Sequence, residues 1–261
     1  MSKKREYVDF IIEDRIALIT IDRSPVNALN RQVEEEIDAV FDELNTKSGV
    51  GAVIITGKGN KAFIAGADIK EVLEKDAEGA AQMSAATQKV LLKIENFSKV
   101  VIAAINGLAL GGGCEVAMAC DIRVLDESTV IGLPEVGLGL LPGAGGTQRL
   151  SRLVGIGKAK ELILTGDPIN ADEAKRIGLV ERIAPKGEAI IEAKKMANRI
   201  LLRGPVAVTN AKKSINEGIN MSYEDALKNE TKLFSALFKT RDMVEGVNAF
   251  LEKRKPNFIG N

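Results

Sequence analysis

Two glutamates interrupt apolar segments of this sequence and are its best candidates for acid–base chemistry. Glu115 lies in the apolar run Cys114–Cys120, and Glu135 follows Pro134 in an apolar loop. Apolar surroundings raise the pKa of a carboxyl group, and two carboxylates that share a site push their pKa values apart. The pair therefore indicates general acid–base catalysis if the side chains meet. A glutamate in a first helical turn also gains from the helix dipole, so a capping or surface role for Glu115 stays open.

Three consecutive glycines precede Glu115 and offer a second chemical feature. Gly111, Gly112 and Gly113 follow a predicted buried strand and begin a predicted helix, where backbone N–H groups have no helical partner. Because glycine carries no side chain, an anionic oxygen can approach those amides, as an oxyanion hole requires. Close helix–strand packing or a strained turn would explain the same glycines. Their spacing fits neither a dinucleotide-binding fingerprint nor a P-loop.

The composition excludes several other kinds of site. The 261 residues contain no histidine, which rules out a Ser-His-Asp or Cys-His nucleophile and any His-ligated metal. The 36 basic and 36 acidic side chains give a net charge of zero, so there is no overall charge to attract nucleic acid or an acidic membrane. Cys114 and Cys120 match no redox or zinc spacing and are interpreted as buried thiols. No metal site is expected.

The segments around these residues alternate between strand and helix patterns. Asn30 is predicted to cap an amphipathic helix, and the unbroken β-branched run 100–105 predicts a strand buried on both faces. Further strands are predicted at 15–22, 51–56 and 121–125. After about residue 145 the pattern is mostly helical, with Asn170 and Glu173 in a capping-box arrangement and helices at 190–202, 206–217, 223–239 and 242–253.

A break at Pro205 divides the chain in this interpretation. Residues 1–200 are expected to form an α/β core, and residues 201–261 a helical C-terminal region. The N-terminus has a basic start without an apolar core, so no signal peptide is predicted. The longest apolar run is too short to span a bilayer, and a soluble cytoplasmic protein is expected.

Several blocks of this sequence resemble the enoyl-CoA hydratase/isomerase (crotonase) superfamily. The segment 62–70 (AFIAGADIK) is similar to its F-x-A-G-A-D-[IL] motif, and 103–115 (AAINGLALGGGCE) to its A-x-x-x-G-x-A-x-G-G-G-x-E segment. The block 134–149 (PEVGLGLLPGAGGTQR) matches P-E-x-x-x-G-x-x-P-G-x-G-G-T-Q-R, and 25–30 and 250–258 are similar too. The blocks occur in the family's order and cover the chain from about residue 8 to its end.

The resemblance implies a fold, an assembly and a substrate class. The fold is an α/β class with a crotonase-like β-β-α spiral core and a helical C-terminal trimerisation region. The assembly is a homo-oligomer, either a trimer or a dimer of trimers. The substrate is an acyl-CoA thioester, and no cofactor is implied because coenzyme A is part of the substrate.

The resemblance also assigns residues. The two hydratase glutamates fall on Glu115 and Glu135, and the oxyanion-hole amides fall on Ala67 and Gly112, in agreement with the glycine argument. Residues implied to lie along the substrate are Ala28, Ala65, Asp68, Ile69, Lys70 and Gly111. For Asp68, capping of the following helix is favoured over contact with the substrate.

Hydration of a 2-trans-enoyl-CoA to a 3-hydroxyacyl-CoA is the favoured activity, because isomerases of the family commonly lack the first glutamate. A 3-methylglutaconyl-CoA hydratase and an enoyl-CoA isomerase are the enzymatic alternatives. An RNA-binding protein is the non-enzymatic one, and the zero net charge opposes it. Neither nucleic acid nor a membrane is expected as a partner.

Overall fold

A computed structural model describes residues 5–261, which form two β-sheets surrounded by helices. The strands are β1 (Val8–Glu13), β2 (Ile16–Ile21), β3 (Ala52–Gly57), β4 (Ala62–Ala65), β5 (Val100–Ile105), β6 (Leu108–Leu110), β7 (Ile122–Asp126), β8 (Val130–Gly132), β9 (Ile169–Asn170) and β10 (Arg182–Ala184). The helices are α1 (Arg31–Asn45), α2 (Ile69–Leu73), α3 (Ala77–Glu95), α4 (Gly112–Ala119), α5 (Gly146–Val154), α6 (Ile156–Thr165), α7 (Ala171–Arg176), α8 (Ala189–Leu201), α9 (Pro205–Gly218), α10 (Tyr223–Leu237) and α11 (Arg241–Leu251). Residues 1–4, part of the segment in which no signal peptide is predicted, lie outside the described residues.

The chain winds as a spiral in which each turn adds one strand to each sheet. The larger sheet has the order β1-β2-β3-β5-β7-β10 and the smaller one β4-β6-β8-β9. Strands β3, β5 and β7 enter the larger sheet in parallel, and each is followed by a parallel strand of the smaller sheet, β4, β6 or β8. A helix follows each pair of strands, which confirms the predicted β-β-α spiral core.

Strand β5 is the centre of the core. All six of its residues are buried, and they alternate between two apolar clusters on opposite faces of the larger sheet. On the outer face, Ala189, Ala193 and Ala197 present a row of small side chains from α8, which lets this helix lie close to the sheet. The prediction of a strand buried on both faces is confirmed.

Helix α1 also matches its prediction. The Asn30 side chain accepts a hydrogen bond from the Val33 amide at 2.9 Å, and the apolar face of the helix is buried. Asn170 caps α7 in the same way, through the Glu173 amide. The helical pattern is interrupted at Pro205, as predicted, since α8 ends at Leu201 and α9 begins at Pro205.

Six short or edge strands carry too little pattern to be predicted. Strands β6, β8 and β10 have three residues each and β9 has two, so no period of alternation can develop. The segment after residue 145 is mostly helical, as predicted, and β10 adds a parallel edge strand to the larger sheet beside β7. Strands β1 and β4 were also missed.

Candidate active site

The three glycines each meet a different structural demand. Gly111 is the residue before α4 and has φ +52°. Residues with a side chain rarely adopt this conformation. A methyl group on Gly113 would collide with the carbonyl oxygen of Ile64, so α4 packs directly on the backbone of β4. Gly112 is the first residue of α4, and its N–H has no partner within the helix. The packing interpretation is confirmed at Gly113, and the donor role of Gly112 stays a prediction.

The same packing brings Gly112 to Ala67. A methyl group on Gly112 would lie 3.9 Å from the amide nitrogen of Ala67. Ala67 pairs with Leu29 in a single parallel bridge, in which the Leu29 amide donates to Gly66 O and the Asp68 amide donates to Leu29 O. Since these neighbouring peptides make the bridge, the Ala67 N–H points away from Leu29. Among residues 5–261, neither the Ala67 nor the Gly112 N–H donates a backbone hydrogen bond outside regular elements.

Glu115 lies in the first turn of α4 and is almost completely buried, with 2% of its surface exposed. Its Oε1 accepts two hydrogen bonds of 2.7 Å, from the amides of Ala144 and Gly146. Burial raises the pKa of Glu115 above its ordinary value, while these two amides and the nearby Arg149 charge oppose that rise. The amides hold the carboxylate in one orientation.

Glu135 begins a short 3₁₀ helix, Glu135–Leu138, and is half-buried. Its Oε2 is buried and has no hydrogen-bond partner among the described residues. Burial, with a smaller contribution from the charge of Glu115, raises the pKa of Glu135 to about 7. At neutral pH this carboxyl group therefore exists in both protonation states, as proton transfer requires.

Gly111 contacts both glutamates, the backbone of Glu115 and the side chain of Glu135. Its carbonyl oxygen accepts the Glu115 amide at 3.0 Å, and a methyl group on its Cα would stand 2.9 Å from Glu135 Oε1. The structure thus brings together two glutamates that are twenty positions apart in the sequence, beside the two amides of Ala67 and Gly112. The charge of Glu115 contributes to the raised pKa of Glu135, so the two side chains lie within electrostatic range of each other. That they act on one substrate stays a prediction.

A cavity of about 740 Å³ reaches one member of this site, Ala67. Its lining includes all but one of the residues predicted to bind substrate, namely Ala28, Ala65, Asp68, Ile69 and Lys70, together with Ala67. The exception is Gly111, which backs Glu135 instead. Asp68 caps α2 by accepting the Lys70 amide at 3.1 Å, which confirms the favoured capping role.

The lining also contains residues that the sequence reasoning missed. Arg23 donates to Asp68 Oδ2 at 2.5 Å and to the Ala28 carbonyl at 3.0 Å, and its guanidinium lies 5.8 Å from the Tyr7 ring centre. The hydrogen bond from the Arg23 guanidinium lowers the pKa of Asp68 below its ordinary value. Arg23 lies two residues before the block 25–30 and belonged to no motif, so only its position next to that block could have indicated it.

No cluster of three His, Cys, Asp or Glu side chains that could hold a metal is found within residues 5–261. Arg149 pairs with Glu95 at 2.8 Å. Cys114 and Cys120 are both free and buried, in agreement with their interpretation as structural thiols. The candidate site therefore consists of two carboxyl groups, two backbone amides and the cavity.

Comparison with known proteins identifies the family to which this chain belongs. The family model described as enoyl-CoA hydratase/isomerase matches residues 12–261. The chain belongs to the enoyl-CoA hydratase/isomerase family. Within this family it is 48% identical over 244 residues to the short-chain-enoyl-CoA hydratase of Clostridium acetobutylicum, covering 93% of this chain and 94% of that protein.

Other members of the enoyl-CoA hydratase/isomerase family agree with this placement. The crotonyl-CoA hydratase of Syntrophomonas wolfei subsp. wolfei is 48% identical over 248 residues, 95% of each chain. The crystal structure of an enoyl-CoA hydratase from Bacillus anthracis superposes with a TM-score of 0.94 at 39% identity, covering 98% of this chain and all of that one. One from Geobacillus kaustophilus reaches a TM-score of 0.96 at 36% identity, covering 99% and 98%. The predicted family and fold class are confirmed.

Proposed function

We propose that this protein is an enoyl-CoA hydratase, a lyase that adds water across the double bond of a 2-trans-enoyl-CoA to give a 3-hydroxyacyl-CoA. Relatives at 48% identity named short-chain-enoyl-CoA and crotonyl-CoA hydratase support this activity and a short acyl chain. The observation that carries the mechanism is that Glu115 and Glu135 both contact Gly111, near the backbone amides of Ala67 and Gly112. Among the described residues, neither of these amides donates a backbone hydrogen bond outside regular elements.

The amides of Ala67 and Gly112 form the oxyanion hole in this proposal. The thioester carbonyl oxygen accepts both N–H groups, and negative charge builds on that oxygen as water adds at C3. The dipole at the start of α4 adds to the stabilisation of this charge. Removing one such donor typically costs about 2.7–4 kcal/mol in the transition state.

The two glutamates carry out the two proton transfers of the reaction in this proposal. Glu115, held by the Ala144 and Gly146 amides, accepts a proton from the attacking water, and Glu135, whose pKa is raised to about 7, supplies a proton to C2. The net change is addition of one H–OH across C2=C3, with no electron transfer. Exchange with solvent then removes the proton that Glu115 gained and restores the one that Glu135 gave up. The reaction needs no metal and no cofactor besides the coenzyme A of the substrate.

The cavity holds the coenzyme A part of the substrate in this proposal. Ala28, Ala65, Asp68, Ile69 and Lys70 lie along it, and Gly111 lies outside its lining, against Glu135. Arg23 and Lys70 are the basic residues of this lining, beside the acidic Glu6, Asp22 and Asp68. In this proposal they are the groups that meet the phosphates of a CoA thioester. The alternative acyl groups, branched or dicarboxylic as in 3-methylglutaconyl-CoA, would enter the same site.

Isomerisation of a double bond is a second activity that the same two glutamates could support as a side reaction. RNA binding has no feature in its favour, since the net charge is zero. No helix among residues 5–261 is long and apolar enough to cross a membrane.

We further propose that residues 201–261 form the oligomerisation region of a trimer or a dimer of trimers, beside a core of residues 1–200. Helices α9, α10 and α11 leave large apolar side chains uncovered, including Ile215, Phe234, Phe238, Val247 and Phe250, each more than half exposed. Sedimentation of Phe238→Glu beside the wild type tests this. Leu73→Glu, at a more exposed position on α2, is the matched control. A wild type that sediments as a monomer would overturn the proposal.

The deciding experiment follows the loss of conjugated enoyl-thioester absorbance when crotonyl-CoA meets the purified protein. We expect rapid loss in the wild type and a kcat lowered by about 10²–10⁴-fold in Glu115→Gln and in Glu135→Gln. Glu161→Gln, an exposed glutamate on α6, is the matched control and should retain full activity. An unchanged rate in either catalytic variant contradicts the assigned roles, and an inactive wild type contradicts the substrate.

A further inference from the structure

Helix α3 contacts the loop that holds Glu115 through a pair of polar side chains. Ser84 Oγ donates to the carbonyl oxygen of Gly143 at 2.6 Å, and Gln88 Nε2 donates to the same oxygen at 2.8 Å. Gln88 Nε2 also lies 3.2 Å from Ser84 Oγ, so the two side chains support each other. They are four residues apart on one face of the helix, and both lone pairs of one carbonyl are thereby occupied.

That carbonyl belongs to the peptide unit whose N–H binds the catalytic carboxylate. The Gly143 C=O and the Ala144 N–H are the two polar ends of one planar peptide group, and the Ala144 N–H donates to Glu115 Oε1 at 2.7 Å. In a trans peptide the C=O and N–H point in opposite directions. Holding the oxygen toward α3 therefore aims the N–H at Glu115, and hydrogen bonds at both ends polarise the unit cooperatively.

The next peptide of the loop is held from the same helix. Arg149 donates to the Ala144 carbonyl at 2.9 Å, and its guanidinium is paired with Glu95 at the end of α3, at 2.8 and 3.0 Å. Gly145 then turns the chain with φ +98° so that the Gly146 amide also reaches Glu115. Both amides that bind Glu115 thus come from a segment anchored to α3.

We propose that Ser84 and Gln88 are positioning residues for Glu115, acting through the Gly143–Ala144 peptide. Neither side chain contacts the glutamate itself. Their effect is to keep the Ala144 N–H aligned with Oε1, so that the carboxylate keeps one orientation toward the attacking water. This inference rests on the proposed function of Glu115, while the hydrogen-bond chain does not.

The test compares Ser84→Ala, Gln88→Met and the double variant with the wild type. Methionine keeps the length of Gln88 and removes its donor. We expect kcat for crotonyl-CoA hydration to fall by about 2- to 10-fold in each single variant, the size of one ordinary hydrogen bond, and further in the double variant, with little change in KM. Ser84→Thr keeps the hydroxyl and should restore most of the rate.

Gln82→Ala is the matched control, because Gln82 is an exposed glutamine of the same helix whose amide bonds only to Glu78. It should leave kcat unchanged. Thermal unfolding of every variant shows whether the fold is retained. A double variant with wild-type kcat, or a loss of kcat that Gln82→Ala shares, overturns the proposal.

A second readout separates positioning from general loosening and does not depend on activity. Because hydrogen bonds to a carboxylate lower its pKa, weakening the Ala144 bond raises the pKa of Glu115 further. In protein with ¹³C-labelled glutamate carboxyls, the Glu115 resonance, assigned by its absence in Glu115→Gln, should titrate at higher pH in the double variant, and the Glu135 resonance should move less. An unmoved Glu115 titration contradicts the proposal even if the wild type proves inactive toward crotonyl-CoA, an outcome that would instead refute the proposed function.

Discussion

The carboxyl group of Glu135 lies against the Cα of Gly111, so closely that a methyl group on Gly111 would stand 2.9 Å from Glu135 Oε1. The same glycine has φ +52° and accepts the Glu115 amide through its carbonyl oxygen. One residue without a side chain thus lets two carboxyl groups share a site and lets α4 begin where its amides face that site.

Gly111→Ala is expected to damage both stability and catalysis. Left-handed backbone at a residue with a Cβ costs about 1–3 kcal/mol, and the new methyl group pushes Glu135 from its position. We expect a lowered unfolding temperature and a kcat reduced at least tenfold. Gly157→Ala on α6, where a methyl group meets nothing within 4 Å, should be neutral or slightly stabilising. Thermal unfolding and crotonyl-CoA hydration measure the two effects, and a fully active Gly111→Ala would contradict the packing argument.

Gly146→Ala should affect Glu115 in the corresponding way. A methyl group there would stand 2.9 Å from Glu115 Oε1 and 2.8 Å from Pro142 Cβ. Since the Gly146 amide is one of the two donors to this carboxylate, the displacement weakens that hydrogen bond. We predict that kcat falls by about tenfold or more, as for loss of one hydrogen bond to a charged group. Steady-state kinetics beside Gly157→Ala measure it, and equal rates in the two variants would count against a fixed Glu115.

Ala67→Pro removes one oxyanion donor while sparing the bridge to Leu29, because that bridge uses the amides of Leu29 and Asp68. We expect kcat to fall by about 10²–10³-fold. Ala67→Gly keeps the N–H and is the matched control, with a far smaller effect. If the proline variant is folded and turns over crotonyl-CoA as fast as the glycine variant, Ala67 is not an oxyanion donor.

Glu135→Gln should make the protein more stable at alkaline pH than the wild type. The pKa of Glu135 is raised from 4.5 to about 7 by burial, so the folded state favours its protonated form. That contribution is fully present below pH 4.5 and is lost as the pH rises through about 7. Allowing for solvent screening of this half-exposed group, we expect an advantage of about 1 kcal/mol for the glutamine variant at pH 8, or about 2–4 °C in Tm, and none at pH 4. Calorimetry at the two pH values measures it, and a pH-independent difference would contradict the raised pKa.

The charge of Glu115 contributes to the pKa of Glu135, and its removal should be visible. In Glu115→Gln the pKa of Glu135 is expected to fall below about 7, because a neighbouring negative charge no longer opposes ionisation. Burial is the larger cause, so the pKa stays above 4.5. Titration of ¹³C-labelled glutamate carboxyls by NMR measures the shift. An unchanged titration would mean that the two carboxyl groups do not share one electrostatic environment.

The local elements of this fold can be predicted where the pattern is long enough to repeat. Helix α1 has a capping Asn30 and four turns of apolar spacing, and β5 has six consecutive buried residues, so both were predicted within a residue or two. Strands of two or three residues were missed because alternation needs more positions to be recognised. They acquire strand geometry only from the neighbours that their backbones pair with.

The candidate site divides in a similar way. Residue types and motifs pointed to Glu115, Glu135, Ala67 and Gly112, since lone carboxylates in apolar segments and a glycine-rich helix start are unusual in sequence alone. They could not show that Glu135 Oε2 is buried without a partner or that the pKa of this residue is about 7, because both depend on atoms far away in the chain.

The positioning residues Ser84 and Gln88 could not be predicted from the sequence. Ser84 and Gln88 look like ordinary polar positions on a helix, and they matter only because α3 lies against the Gly143 carbonyl, 59 and 55 residues away along the chain. Sequence carries the chemistry of each side chain and the local conformation of its backbone. The orientation of a carboxylate, the burial that shifts its pKa and the peptide that aims a hydrogen bond at it arise only when distant segments pack together, since electrostatic and hydrogen-bond energies depend on distances of a few ångströms.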